Sequence, residues 1–280
     1  MAESDGADER GVYHKDFRLS ITKALGDQLA EALESIGRAP LDEERLAELE
    51  ERPGVYQLYV NDSFVYVGKA DAKNKGLPGR LGNHLRKLSG RRNVALADVT
   101  FSCLYVDEDF SAVAPERLLI KHHKGRGGVP WNNSGFGGKD PGRRRDTTVL
   151  KKDHFDVRYP INLDAPIRGL AAGTTDLRTY LKDLKAALPY NFRYEEPVSA
   201  ADTLIGVPDG PLTADEALRR ASAALPASWQ VTALLNYVIM YEEDRRYKSA
   251  TRYYRSGETA EQEPEKSSAP LTSEDLGDVE

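Results

Sequence analysis

Positions 54–70 read GVYQLYVNDSFVYVGKA and contain the clearest structural signal in the chain. Residues 55–60 and 64–67 are mostly β-branched or aromatic, and the Asn-Asp-Ser segment between them favours a turn. The pattern predicts an antiparallel β-hairpin. Because side chains alternate between the two faces of a strand, Tyr56 and Tyr66 share a site only if they are paired in a hairpin centred on Asn61. We therefore predict an odd-numbered loop or a β-bulge, since a plain two-residue turn would send the two hydroxyls to opposite faces.

The sequence on either side of this hairpin alternates between helical and extended patterns. Apolar residues recur at helical spacing from Leu19 to Ile36, and Asp42 is placed to cap a short second helix. Further segments have clear patterns: a loop at 71–79, a helix at 80–88, a strand at 98–106, helices at 115–123, near 175–188 and near 213–224, and an apolar run at 229–241. We assign the apolar run to core or to a subunit interface. The prediction is an α+β fold in which a small antiparallel sheet, with about three central strands, is flanked by helices.

Composition limits the class of protein. The chain has 280 residues, of which 40% are hydrophobic and 30% charged, as in a globular protein. No apolar run approaches the ~18–20 residues that a membrane span needs, and residues 1–11 are too polar for a signal peptide. Cys103 is the only cysteine, which excludes an internal disulfide framework and a zinc site built from several cysteines. We expect a cytoplasmic protein without a membrane partner.

Charge is strongly segregated along the chain. The net charge is −6, yet positions 69–92 contain eight basic residues against one acid, and positions 117–152 contain ten against two. Both ends are acidic, with fourteen acids against seven bases at 1–53 and eight against one at 257–280. Two basic stretches on an acidic chain are typical of a polyanion-binding face, although either stretch alone is more typical of solvated loops and helix faces.

Several motifs occur in an order that resembles the GIY-YIG nuclease superfamily. Gly54-Val55-Tyr56 and Tyr66-Val67-Gly68 are similar to its two name motifs, with Val in place of Ile in both. Arg80 and His84 follow on the predicted helix, then Glu116 on the next helix and Pro130-Trp131-Asn132 on the loop after it. The segments at 66–70 (YVGKA) and 132–142 (NNSGFGGKDPG) are most similar to the Type II restriction endonuclease branch. The resemblance covers roughly residues 50–245, and the connection before Asn132 is longer than usual, so the family asparagine is either Asn132, which we prefer, or Asn133.

The resemblance implies Mg²⁺-dependent hydrolysis of double-stranded DNA at a specific, palindromic site, with one metal ion per active site and Mn²⁺ as a substitute. It assigns the metal to Glu116, places Tyr56 beside the attacking water, lets Tyr66 orient water or phosphate, and includes Asn132 in the site. A homodimer and a cognate DNA methyltransferase as functional partner are also implied. The expected DNA contacts are Lys69, Lys139, Arg143, Arg144 and Arg145. Lys69 is expected to contact phosphate and the three arginines to contact the DNA backbone or bases, although a solvated basic loop is nearly as typical of such an arginine run.

The residue types support this chemistry independently. Arg80 and His84 are four positions apart and project from one face of a helix. A guanidinium can form two hydrogen bonds with a phosphate, and an imidazole, whose unperturbed pKa is near neutrality, can accept a proton. The carboxylate of Glu116 is a hard oxygen ligand of the kind that Mg²⁺ prefers.

Other interpretations stay open. Tyr56 and Tyr66 alone could be packing aromatics, and Glu116 alone could be a helix-start acid. A structure-specific or repair nuclease of the same superfamily and a catalytically silent DNA-binding module are the two alternative functions. The predicted organisation has five parts: a disordered N-terminus at 1–15, a helical extension at 16–52, a nuclease core at 53–150, a C-terminal elaboration for DNA binding or dimerisation at 151–255, and a disordered acidic tail at 256–280.

Overall fold

A computed structural model describes residues 21–106, 118–120, 122, 129–132, 134–137 and 142–268. The helices named within them are α1 (Ile21–Glu34), α2 (Glu43–Ala47), α3 (Gly76–Ser89), α4 (Phe155–Arg158), α5 (Leu177–Ala187) and α6 (Ala214–Ala224). The strands are β1 (Ala39–Pro40), β2 (Gly54–Val60), β3 (Ser63–Ala70), β4 (Val99–Tyr105), β5 (Pro166–Ile167), β6 (Gly173–Asp176), β7 (Asn191–Tyr194), β8 (Leu204–Val207), β9 (Leu212–Thr213), β10 (Trp229–Leu234), β11 (Tyr237–Glu242), β12 (Ala250–Arg255) and β13 (Glu258–Glu261). No helix in these described ranges is long and apolar enough to cross a bilayer.

The N-terminal sheet confirms the predicted α+β class. Its strand order is β1-β4-β2-β3, with all neighbours antiparallel, and β1 contributes only two residues at one edge. On one face, Leu58 lies in a cluster with Leu77 and Leu81 of α3. On the other face, Val55 and Val67 are clustered with residues of α1 and of the helical segment at 118–120. The sheet is therefore covered by helical segments on both faces, as predicted, with hairpin strand β2 in its interior and β3 at one edge.

A second sheet lies in the C-terminal half. Its order is β13-β12-β10-β11-β7, antiparallel except that β7 runs parallel to β11. Helices α5 and α6 bury Leu181 and Leu218 on the face that carries Val231 and Val238. The predicted apolar run at 229–241 is thus two core strands. The short pairs β5-β9 and β6-β8 lie outside both sheets.

Two boundaries differ from the sequence prediction. Helix α3 begins at Gly76 instead of residue 80, because the N–H of Leu77 bonds to the carbonyl of Arg52 at 2.9 Å and the Leu77 side chain is fully buried. The sequence analysis also predicted disorder from residue 256, whereas Glu258–Glu261 form a strand. Strand β13 pairs with β12, and the N–H of Ser267 bonds to the carbonyl of Leu150 at 2.9 Å. The acidic composition concealed a hairpin with the preceding strand and a backbone bond to a segment distant in sequence.

The C-terminal end of α3 connects the two halves. The carbonyl of Gly90 accepts from the N–H of Asn162 at 2.8 Å, and the side chain of Arg86 donates to the carbonyl of Leu188 at 2.9 Å. Helix α3 therefore touches both the hairpin and the C-terminal half.

Candidate active site

The hairpin places Tyr56 and Tyr66 on one face by means of a β-bulge. Asn61 and Asp62 form a two-residue turn with φ of 46° and 62°, a conformation that Asn and Asp tolerate. The register then shifts between Leu58 and Tyr59, which inserts one extra residue in β3. The predicted bulge is therefore confirmed. Direct pairing of the two tyrosines is wrong, because they are diagonal neighbours whose ring centroids lie 6.1 Å apart.

Gly68 makes room for the first tyrosine. It is paired directly opposite Tyr56, whose ring lies over it. A Cβ atom at position 68 would lie 2.3 Å from the Tyr56 hydroxyl oxygen and 2.9 Å from the Tyr66 ring. A side chain of any size at this position would displace a phenol group.

Helix α3 supplies the predicted basic pair to the same point. His84 Nε2 lies 2.7 Å from the hydroxyl oxygen of Tyr56, and Arg80 Nε donates to that oxygen at 3.2 Å. His84 also packs against Tyr66, with ring centroids 5.3 Å apart. The structure thus brings together Tyr56, Tyr66, Arg80 and His84, as the sequence predicted.

Electrostatics set the direction of hydrogen bonding in this cluster. Burial, and then the positive charges of Arg80 and Lys87, hold the pKa of His84 well below its ordinary value. A neutral His84 can accept at Nε2, so the Tyr56 hydroxyl donates to it while accepting from Arg80. Burial alone would lower the pKa of Arg80, but the phenol groups of Tyr56 and Tyr66 raise it above its ordinary value. Arg80 therefore keeps its full positive charge beside both phenols.

Phe136, which the sequence analysis did not assign to the site, closes one side of it from the glycine-rich loop. Phe136 stacks on His84 with ring centroids 4.9 Å apart, and it meets the Tyr66 ring edge-on at 4.9 Å. The next residue, Gly137, has φ of 116°, and a Cβ there would lie 3.0 Å from the Tyr66 hydroxyl oxygen. The signal available in the sequence was a single aromatic residue between glycines.

Lys87 is a second side chain that sequence analysis missed. It follows His84 by one helical turn, and its ammonium lies 5.1 Å from the ring centroid of Phe136 and 5.4 Å from that of Phe155. Burial lowers the pKa of Lys87 to about 8, although the carboxylate of Asp156 opposes that shift. The spacing of positions 80, 84 and 87 along one helical face could have indicated it.

A buried ion pair lies next to Lys87. Arg91 Nη1 donates to Asp156 Oδ1 at 2.7 Å, and both side chains are almost fully buried. Burial would raise the pKa of Asp156, but Arg91 and then Lys87 bring it below its ordinary value. The backbone N–H of Asp156 also bonds to His154 Nδ1 at 3.1 Å. Asp156 is therefore an ionised structural group.

Asn132 lies at the edge of the hairpin and not among the phenols. Its side-chain oxygen accepts from the N–H of Val67 at 2.9 Å, and its amide nitrogen donates to the carbonyl of Val67 at 2.7 Å. The N–H of Trp131 bonds to the carbonyl of Val65 at 2.9 Å. Residues 131 and 132 thereby occupy the otherwise open edge of β3, so the role of Asn132 in this structure is to position the strand.

The predicted DNA contacts are not gathered in this cluster. The side chain of Lys69 lies on the face of β3 opposite to that of Tyr66. It is exposed and forms an ion pair with Asp71 at 3.3 Å. Arg143, Arg144 and Arg145 form a 3₁₀ turn beside the C-terminal sheet. Glu116, Asn133 and Lys139 lie outside the described residues, as does the metal site assigned to Glu116.

The described part of the cluster does not make a metal site by itself. Phenol, imidazole and guanidinium groups surround Tyr56, and Asp156 is already paired with Arg91. Among the described residues, no group of three or more His, Cys, Asp or Glu side chains could hold a metal ion. A bound Mg²⁺ therefore requires a carboxylate from outside these residues, the position that the sequence analysis gives to Glu116.

Two other titratable side chains, Cys103 and His122, lie away from the cluster. Cys103 is half-buried on β4, and burial raises the pKa of its thiol to about 11, so it is not a thiolate at neutral pH. His122 Nδ1 lies 2.8 Å from Asp27 Oδ1 of α1.

Comparison with protein-family models and with curated proteins gives no match for this chain.

Proposed function

We propose that this chain is a Mg²⁺-dependent endonuclease that hydrolyses phosphodiester bonds in double-stranded DNA at a specific site, in the manner of a GIY-YIG Type II restriction enzyme. The observation that carries the proposal is the chain of hydrogen bonds from Arg80 through Tyr56 to His84. It joins a fixed cation, a phenol and a neutral base around one buried point. Such a set suits attack on a phosphate better than it suits packing of a hairpin.

The proposed reaction is in-line attack of water on phosphorus. The water oxygen forms a bond to phosphorus and the bond to the leaving oxygen breaks. The water proton passes to the Tyr56 oxygen as the Tyr56 proton passes to His84 Nε2, and the leaving oxygen takes a proton from solvent. Arg80 stabilises the extra negative charge on the phosphate, and Tyr66 orients the water or phosphate. When bound at Glu116, Mg²⁺ would add charge compensation at the phosphate.

DNA binding should raise the pKa of His84, the proposed base. Burial is the largest cause of the low pKa of His84, and the positive charges of Arg80 and Lys87 lower that pKa further. A phosphate beside them offsets part of their charge and raises the pKa of His84 toward the range in which it accepts a proton. The site is thus a stronger base with substrate than without it. A homodimer, with one such site for each strand of a palindrome, and a protective methyltransferase belong to the same proposal.

Digestion of a plasmid library in Mg²⁺, followed by sequencing of the fragment ends, tests this function. Discrete fragments with one shared end sequence are expected. Tyr56→Phe should abolish cleavage, whereas Tyr59→Phe, on the same strand but with its hydroxyl bonded to Gln57, should keep it. Glu116→Gln should bind DNA without cutting it.

Two results would favour one of the two alternative functions. Cleavage of flaps with no cleavage of plain duplex would indicate a repair nuclease. Duplex binding with no cleavage of any substrate, in Mg²⁺ or Mn²⁺, would indicate a silent DNA-binding module.

A further inference from the structure

The arginine turn at 143–145 is anchored on the C-terminal sheet. Asp146, which ends the turn, is buried and accepts two hydrogen bonds from Arg193, at 2.9 and 3.1 Å. Its Oδ1 also accepts from the Tyr237 hydroxyl at 2.6 Å. A buried carboxylate with three donors fixes the backbone of the turn.

A second arginine pair is attached to the same face of that sheet. Arg245 and Arg246 lie between β11 and β12, with their guanidinium carbons 5.4 Å from the Tyr247 ring centroid and 4.6 Å from the Tyr253 ring centroid. Tyr237, Tyr247 and Tyr253 belong to one buried cluster. The two arginine segments therefore rest on one aromatic layer.

Neighbouring acids do not neutralise this surface. Glu195 pairs with Arg143, Glu243 accepts from the Tyr247 hydroxyl, and Asp244 pairs with Arg255. Arg144, Arg245 and Arg246 are exposed, and within the described ranges none of the three has a carboxylate partner. Three exposed guanidinium groups, carried by two segments that are anchored on buried tyrosines, are thus available to an anionic partner.

We propose that Arg144, Arg245 and Arg246 form a surface that binds the phosphate backbone of duplex DNA beside the cleavage site. Guanidinium groups form two parallel hydrogen bonds with phosphate oxygens. Single-stranded nucleic acid binds chiefly by stacking its bases on exposed aromatic rings, and here the rings of Tyr247 and Tyr253 are buried beneath the arginines. The surface therefore suits a duplex read through its backbone.

Its distance from the site follows from the chain. Gly137 lies against the Tyr66 hydroxyl, and Arg143 follows it by six positions along the chain. A fully extended segment of that length spans at most ~20 Å, which is about six base pairs along B-DNA at ~3.4 Å each. We expect the phosphate contact of the arginine turn at 143–145 within about six base pairs of the bond that is cut, and this statement rests on the proposed nuclease function.

The test compares two triple variants that lose the same charge. Arg144→Ala/Arg245→Ala/Arg246→Ala removes the surface. The control, Arg168→Ala/Arg219→Ala/Arg220→Ala, changes exposed arginines on α6 and after β5, on the opposite side of the same sheet. Affinity for a 30-base-pair duplex of random sequence is measured by fluorescence anisotropy in EDTA at several salt concentrations, with thermal unfolding to confirm that both variants fold.

Loss of each phosphate contact should reduce the magnitude of the slope of log K against log salt by about 0.9. The slope of the first variant should therefore be smaller than that of wild type by up to ~2.7. The control variant should keep the wild-type slope. Equal slopes for wild type and the first variant, equal losses in both variants, or tighter wild-type binding to the corresponding single strand or RNA duplex would overturn the proposal. Because EDTA prevents cleavage, the two proposals fail separately. If the first variant has a smaller salt slope than wild type but wild type cuts no DNA, only the nuclease proposal is wrong. If the salt slopes are equal and wild type cuts plasmid, only the proposed DNA-binding surface is wrong.

Discussion

The side-chain amide of Asn132 pairs with both the N–H and the carbonyl of Val67, at 2.9 and 2.7 Å, as a neighbouring β-strand would. Val67 lies between Tyr66 and Gly68, so this pairing holds the half of the hairpin that carries one phenol and makes room for the other.

Asn132→Ala should therefore lower the free energy of unfolding by ~1–3 kcal/mol, because two backbone groups of Val67 lose their partner. Urea unfolding measures this change. Asn83→Ala, an exposed change on α3, serves as control and should stay within ~0.5 kcal/mol of wild type. If Asn132→Ala lost cleavage at unchanged stability, Asn132 would act on the substrate and not on the strand.

Gly68→Ala should disable the site while the fold survives. Its Cβ would be placed 2.3 Å from the Tyr56 hydroxyl oxygen, so the phenol must move away from His84. Since a displacement of about 1 Å can reduce a rate about 100-fold, we expect at least that loss in kcat. Gly82→Ala has open space around its Cβ and should keep the wild-type rate. Wild-type turnover in Gly68→Ala would show that the Tyr56 position is unimportant.

Acid should destabilise the protein through His84. Its pKa in the folded state lies below its ordinary value, so between the two values the unfolded state binds more protons. The stabilisation is fully present above about pH 6.5 and is lost as the pH falls, at up to ~1.4 kcal/mol per pH unit. Urea unfolding from pH 7.5 to 5 should show this slope in wild type and a smaller slope in His84→Asn. An NMR titration of the His84 ring with a midpoint at or above 6.5 would contradict the assignment.

Lys87 should titrate near neutrality. Its pKa is lowered to about 8, and DNA phosphates should raise it because they favour the charged ammonium. Reductive ¹³C-methylation of the lysines, followed by NMR titration with and without duplex DNA, measures both values, and Lys87→Met identifies the signal. A midpoint near the ordinary ~10.4 in the free protein would mean that Lys87 is solvated.

Asp146→Asn should be far more costly than removal of a neighbouring exposed acid. The change leaves Arg193 without its buried carboxylate, for which ~3–5 kcal/mol is expected. Glu195→Gln breaks an exposed pair with Arg143 and should cost about 0–1 kcal/mol. Thermal and urea unfolding of the two variants distinguish these values, and similar losses would mean that Asp146 does not anchor the arginine turn.

Local pattern was enough to predict several features of this protein. The alternation around Asn61 indicated the hairpin, and the four-residue spacing of Arg80 and His84 placed both on one helical face. Asp42 caps α2 as predicted, accepting from the N–H of Arg45 at 2.8 Å. Each of these depends on contacts between residues close in sequence, whose geometry repeats with the period of a strand or a helix.

Tertiary structure alone decided the rest. A one-residue bulge beside Leu58 put Tyr56 and Tyr66 on the same face as diagonal neighbours, and no composition rule located it. Phe136 reached His84, and β7 aligned with β11, through contacts between segments distant in sequence. The residue types of the site and their helical spacing could therefore be predicted from the sequence alone. The resemblance implied that phenol, imidazole and guanidinium groups share one site, but local periodicity does not encode their convergence, because it depends on strand register and on packing between distant segments.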